Sequence, residues 1–255
     1  MQMIDTHAHI YDCVFQKDLK NISSSIYDAG VVKVLLPCTD INDIKDMLLT
    51  ESYYPELFAS MIGIHPDNVS HEHKKLIAIL EKELSNHTYV GIGEIGLDYR
   101  ESISNRDAQK EFLNAEVSLA KQTRLPMSIH VRDAFDDAFE FFKHQQDGTL
   151  RGVIHCFTGN LEQAKKWIDL GFKLGIGGIV TFKKSKLPEV LHDIPLRDIV
   201  LETDSPYLTP EPHRGKRNDS SYLPYIVSKL SDIYGCDPET IGNATTQNAK
   251  SVFDI

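Results

Sequence analysis

The chain has 255 residues, 41% of them hydrophobic, and a formal net charge of -10. That length and composition fit one large α/β domain spanning residues 1–255 with a sizeable core. The acidic balance argues against a protein that coats nucleic acid, although not against an enzyme that engages one strand end through a few contacts. No apolar run approaches the ~20 residues needed to cross a bilayer, and the N-terminus has no basic-then-apolar leader, since Asp5 interrupts the first apolar stretch. Four dispersed cysteines (Cys13, Cys38, Cys156, Cys236) with no CxxC pair read as reduced thiols of a cytoplasmic protein.

Apolar strand-like runs alternate with amphipathic helical stretches along the whole chain. A first strand over Met3 to Asp5 precedes a helix over Lys17 to Ala29, closed by Gly30. The β-branched run Val31 to Leu36 is the second strand, followed by a helix from Asn42 to Thr50. Leu57 to Ile62 makes the third strand, and His73 to Ser85 carries a helical apolar face. Strand four is read over Tyr89 to Ile92, a long helix over Arg106 to Thr123, and strand five over Pro126 to Ile129. A helix over Ala134 to Lys143, strand six over Gly152 to Ile154, and a helix over Leu161 to Leu170 come next. Strand seven covers Phe172 to Ile176, a short helix falls between Lys186 and His192, and strand eight covers Ile199 to Leu201. Helices over Tyr222 to Tyr234 and Pro238 to Phe253 end the chain. Eight such alternations predict a single (β/α)8 TIM barrel. A doubly wound sheet is disfavoured because no GxGxxG follows the first strand.

His7, His9, His65, Glu94, His130, His155 and Asp204 each fall just past an apolar run, so in a barrel they gather at one mouth. Residues two apart on an extended chain share a side, which turns His7 and His9 the same way. Imidazole with carboxylate suits Zn, Mn or Fe-type ions, and a bridging carboxylate can hold two ions ~3.5–4 Å apart. A satisfied core histidine or a helix-capping carboxylate explains any one of these positions but not the set. Cys156 beside His155 is readable as a thiol nucleophile, but a buried strand-end cysteine is the commoner case. Two basic runs, Lys183-Lys184-Ser185-Lys186 and Arg214-Gly215-Lys216-Arg217, follow strands seven and eight and are candidates for holding phosphate.

The motifs Asp5-Thr6-His7-Ala8-His9, Gly63-Ile64-His65-Pro66, Gly93-Glu94-Ile95-Gly96-Leu97-Asp98, His130-Val131-Arg132-Asp133-Ala134, His155-Cys156-Phe157-Thr158-Gly159 and Glu202-Thr203-Asp204-Ser205-Pro206-Tyr207-Leu208 occur in that order. With Arg214-Gly215-Lys216-Arg217-Asn218 and Thr245-Thr246-Gln247-Asn248-Ala249 they resemble the TatD-type metal-dependent deoxyribonucleases of the amidohydrolase superfamily, over essentially the whole chain. The resemblance implies two divalent metal ions (Mg, Mn or Zn). It implies that His7, His9, Glu94 and Asp204 hold one, and that Glu94 bridges to a second held by His130 and His155. It gives His65 a place facing the substrate phosphate. Arg132, Arg214, Lys216 and Arg217 are the candidate substrate-binding cations. Glu94, Asp204 and His65 are the expected catalytic residues, hydrolysing phosphodiesters with an activated water and Asp204 as proton acceptor. The implied substrate is DNA, attacked 3′ to 5′ at single-stranded ends, with no obligate protein partner and no membrane. The chain departs from the family at Arg100, where an aromatic is usual, and at Asp219-Ser220, where Glu-Pro is usual. No lysine stands at a strand end to serve as a carbamylated bridge. Two rivals stand beside this expectation: a metallohydrolase acting on a small ester, lactone or amide, and a non-enzymatic binding barrel.

Overall fold

Each apolar run of the sequence becomes a strand, because the run is short, rich in branched side chains, and covered on both faces. The structure, a computed structural model, describes residues 1–69, 73–100 and 105–255. Its strands are β1 (Met3–Asp5), β2 (Val31–Pro37), β3 (Phe58–Ile62), β4 (Gly91–Asp98), β5 (Met127–Arg132), β6 (Gly152–Ile154), β7 (Phe172–Ile176) and β8 (Ile199–Leu201). All pair in parallel, each with the next in sequence. The last meets the first: Thr6 donates its backbone N–H to Leu201 O at 2.9 Å, and Ala8 bridges Ser205. This is the expected eight-stranded α/β barrel.

The helices are α1 (Leu19–Asp28), α2 (Ile44–Tyr53), α3 (His73–Asn86), α4 (Arg106–Thr123), α5 (Phe135–Gln145), α6 (Leu161–Asp169), α7 (Leu187–Leu191), α8 (Leu223–Tyr234) and α9 (Pro238–Phe253). They start and stop within three residues of the sequence expectation. Asn160 and Gln163 form a reciprocal capping box at the start of α6, and Asp237 caps α9.

Strand alternation divides the apolar side chains into two cores. Ile4, Leu35, Ala59, Met61, Val153 and Val200 point inward and form the smaller cluster. Their neighbours Met3, Val34, Leu36, Phe58, Ile62, Ile154, Ile199 and Leu201 point outward into the layer beneath the helices. The inner cluster is completed by Ala249, Val252 and Phe253 of α9, which therefore closes the floor of the barrel. Thr246 donates to Gln2 O at 3.0 Å, and Asn248 to Leu196 O and Ile199 O at 2.9 and 2.7 Å, fixing α9 across the N-terminal ends of the strands.

Strands four and five correct the sequence reading. β4 and β5 stay paired well beyond their apolar runs, to Asp98 opposite Arg132, so Glu94 and His130 lie inside strands rather than past them. Three steps along β4, from Ile92 to Ile95, face two along β5, from Met127 to Ile129. Such a bulge re-aims nearby side chains, and Glu94 lies within it. No described helix is long and apolar enough to cross a membrane.

Candidate metal centre

The candidate ligands from β1, β4, β5, β6 and β8 converge above the inner core. His7 and His9 meet with their Nε2 atoms 3.3 Å apart, as the alternation of an extended chain requires. Glu94 divides its carboxylate between two histidine sets. Its Oε2 lies 3.3 Å from His7 Nε2 and 3.6 Å from His9 Nε2. Its Oε1 lies 2.9 Å from both His130 Nδ1 and His155 Nε2. Asp204 Oδ1 joins the first set, 3.8 Å from His7 Nε2 and 3.6 Å from His9 Nε2. His65 Nε2 approaches Glu94 Oε1 at 3.6 Å from the other side, beyond the end of β3.

What lies behind these histidines decides whether an ion fits. A metal-binding imidazole presents one nitrogen to the ion and donates the other N–H to a partner that fixes its tautomer. His7 Nδ1 meets Ser128 Oγ at 2.9 Å, His9 Nδ1 meets Tyr11 OH at 3.0 Å, and His130 Nε2 meets Asp98 Oδ2 at 2.9 Å. His155 turns Nδ1 toward Glu202 Oε1 at 3.6 Å, too long for a hydrogen bond, and His155 Nδ1 and Glu202 Oε2 are both buried without a partner. Each of the four rings thus has its rear nitrogen turned to a polar group and its front nitrogen on Glu94. Donor triads such as His7, His9, Glu94 and Glu94, His130, His155 lie within 4.8 Å of one another. The residues fit divalent ions of the kind nitrogen and oxygen ligands select.

The carboxylates and imidazoles of the cluster shift one another strongly. Burial works to raise the Glu94 carboxyl, but the imidazoles of His155, His7 and His65 outweigh it and hold Glu94 well below the usual carboxylate range. Asp204 is lowered likewise: burial opposes, and the His9 hydrogen bond and the charge of His155 prevail. Burial would lower His155, yet Glu94 and Glu202 push it well above an ordinary imidazole. His65 drops to about 4, chiefly through burial, and is neutral at physiological pH. Metal binding would displace the imidazole protons, so affinity should rise with pH.

The braces were not assigned in the sequence, where only their nearness to candidate ligands shows. Tyr11, Ser128 and Glu202 each sit two residues from a candidate ligand, His9, His130 and Asp204 respectively. Glu202 also explains Gly175 on β7. A Cβ at that position would come within 2.1 Å of Glu202 Oε2, so only glycine leaves room for the buried carboxylate. Glu202 Oε1 accepts the Cys156 N–H at 2.6 Å. Burial and then the charge of Asp204 drive the Cys156 thiol well above its ordinary pKa, which leaves it a thiol rather than a nucleophilic thiolate.

A cleft of about 710 Å³ opens over the cluster, lined by His9, His65, Glu94, His130, Arg132, His155, Asp204 and Tyr207 among others. Arg132 stands exposed on its wall. The basic run after β8 is only partly free. Arg217 makes a two-pronged pair with Asp18 at 3.2 and 2.6 Å and lies over the Phe15 ring, so its donors are already engaged. Arg214 places its guanidinium carbon over the Phe182 ring, 3.7 Å from its centroid, and Lys216 is exposed. Lys183, Lys184 and Lys186 are exposed after β7.

Comparison with known proteins agrees with this geometry. The profile of the family described as "TatD related DNase" matches residues 4–254. A Bacillus subtilis protein named "Uncharacterized metal-dependent hydrolase YabD" is 38% identical over 256 residues, covering 99% of each chain. A Salmonella typhimurium protein named "3'-5' ssDNA/RNA exonuclease TatD" is 30% identical over 264 residues, also covering 99% of each. Among solved structures, a TatD homolog from Escherichia coli, YjjV, superposes with a TM-score of 0.93 at 27% identity, covering 99% of this chain and 98% of the other.

Proposed function

Because the chain belongs to the TatD-related DNase family and is thus a metal-dependent hydrolase, we propose that it removes nucleotides 3′ to 5′ from single-stranded DNA ends by phosphodiester hydrolysis. One observation carries this reading: Glu94 offers a separate oxygen to each of two histidine sets, the arrangement a two-ion hydrolytic site needs. In this reading His7, His9, Glu94 and Asp204 hold one divalent ion, and Glu94, His130 and His155 a second, of Mg, Mn or Zn. Bound ions would supply Lewis-acid activation of a water and neutralise charge on the phosphoryl oxygens.

The chain's own groups do the rest. Asp204, held ionised at the cleft, accepts the proton of the attacking water. His65, neutral and with its Nδ1 accepting the Asp67 N–H at 3.1 Å, carries its remaining proton on Nε2, which faces the cluster. From there it donates a hydrogen bond to a phosphoryl or leaving oxygen. Arg132, Arg214 and Lys216 guide the polyanion over an otherwise acidic protein. Residues 1–255 act as one catalytic unit, and the four free thiols accord with the cytoplasm.

The relatives named "3'-5' ssDNA/RNA exonuclease" carry the polarity and the single strand in their names, which supports both choices, and they name RNA beside DNA. The test is digestion of end-labelled single-stranded and duplex DNA and RNA across a metal panel with a chelator control. Stepwise shortening from the 3′ end of single strands is the expected result. The rival substrate is a small ester, lactone or amide, which the same metal centre would serve. Turnover of such esters with intact oligonucleotides would establish it instead.

A further inference from the structure

Tyr207 stands on the rim of the cleft with an exposed ring on a fixed backbone. Tyr207 is 59% exposed, although the turn that carries it is held by several hydrogen bonds. Tyr207 donates its N–H to Asp204 O at 2.9 Å, and its carbonyl accepts from Asn218 Nδ2 at 2.6 Å. Asn218 is fully buried, grips Thr203 O with the same amide at 2.9 Å, and donates its own N–H to Pro206 O at 3.0 Å. Next to it, His9 N–H bonds Ser205 O at 2.7 Å, coupling the turn to β1. The residues at the ends of the turn, Asp204 and Leu208, are both left-handed, at φ 54° and 56°.

An aromatic ring left in water on a backbone this constrained contributes little to the core. It is, however, pre-organised to receive a flat partner, because only two side-chain torsions remain to be ordered. Its surroundings say what that partner is. On one side the ring borders the cleft that holds Glu94 and Asp204; on the other it borders the hollow of about 240 Å³ lined by Asp12, Asp43 and Asp46. A phosphate is repelled from that second side by three carboxylates. A neutral heterocycle whose edge carries amino or imino N–H groups is not.

We propose that Tyr207 is the stacking platform for the nucleobase next to the scissile phosphodiester, the base lying toward the acidic hollow while the phosphates run on the cationic side. This rests on the nuclease reading and goes beyond it by assigning the base its subsite. Because every base has a π-face, the platform is tolerant of sequence.

The test compares two single-stranded oligomers of equal length under saturating divalent metal. One is an ordinary oligodeoxynucleotide; in the other the three 3′-terminal residues are base-free tetrahydrofuran sugars. Initial rates give KM for the wild type, Tyr207→Ala and Tyr207→Phe. Stacking of one base on one ring corresponds to roughly 5–150-fold in affinity. Tyr207→Ala should raise KM by that factor on the base-bearing oligomer alone, so that the KM ratio between the oligomers collapses toward one. Tyr207→Phe, which keeps the ring, should restore the ratio. A loss of general folding would move both substrates together and leave the ratio intact. If Tyr207→Ala changes both KM values equally, or neither, the platform is overturned while the nuclease reading stands. If the wild type turns over neither oligomer, the nuclease reading and the platform fall together.

Discussion

Replacing Asp98 by asparagine should cripple one of the two proposed metal positions and spare the other. The carboxylate is buried and both of its oxygens are committed. Oδ1 accepts the Arg100 N–H at 2.9 Å and Oδ2 faces His130 Nε2 at 2.9 Å. The backbone beneath it is clamped by Gln109, which accepts from Asp98 N at 3.0 Å and donates to Asp98 O at 2.9 Å. An amide has one oxygen to offer. If it faces Arg100, the amide NH2 meets His130 Nε2, and the imidazole proton must move to Nδ1. That atom lies 2.9 Å from Glu94 Oε1 and 3.2 Å from His155 Nε2, where a ligand lone pair is needed. If the amide turns round, the Arg100 N–H is left facing a second donor, at a cost of about 1–3 kcal/mol. Loss of the carboxylate partner of a ligating histidine typically lowers metal affinity 10–100-fold, which is about 1.4–2.8 kcal/mol. The assay is titration of Mn²⁺ or Zn²⁺ into chelator-stripped protein, resolving two binding steps. One step should weaken by that factor, with the step at His7 and His9 little changed. Two unaltered steps, or an equal loss in both, would refute the bracing of His130 by Asp98.

Three further outcomes follow from the same geometry. Gly175→Ala should lower stability in urea unfolding by roughly 3–5 kcal/mol, from overpacking against Glu202 and loss of its bond to the Cys156 N–H. Adding Glu202→Ala should return part of that, and strictly additive losses would show the two residues do not meet. Glu116 is fully buried on α4 with Ile64 N–H on its Oε1 at 2.8 Å, and burial raises its carboxyl well above the usual 4.5. Its contribution is therefore complete below about 4.5 and declines as pH rises toward the folded value. The Tm advantage of Glu116→Gln over wild type should accordingly widen from pH 5 to pH 8; parallel curves would mean that Glu116 is ionised in the fold. Finally, neutralising Arg214 and Lys216 together should reduce the salt slope of oligonucleotide KM by roughly 1.4 units, at about 0.7 per phosphate contact. Arg217→Gln, with its partner Asp18 holding it away from substrate, should leave that slope unchanged.

The barrel was legible because its strands are short branched runs set between helical faces, a pattern that depends only on near neighbours. Strands four and five were read too short for a related reason. Glu94, Gly96 and Asp98 interrupt the apolar run, while the backbone ladder with β5 continues regardless. The ligand candidates were visible as residue types at strand ends. Their braces were not, because Ser128 belongs to His7 across 121 positions, and Asp98 to His130 across 32. Asp98 lay within a recognised motif yet had no role until His130 was seen against it. Arg217 shows the converse: the basic run reads as a phosphate track, and the structure pairs one of its members with Asp18, 199 positions away.

The floor closed by α9 bears on how the protein can be handled. Thr246 is bonded to Gln2 beside the first strand, and Ile255 packs against the inner cluster, so both chain ends lie on the face opposite the catalytic mouth. A fusion domain, affinity tag or surface tether joined at either end would point away from the cleft. Immobilised on a bead through one terminus, the protein would present its cleft outward, with the anchor out of the way of whatever enters it.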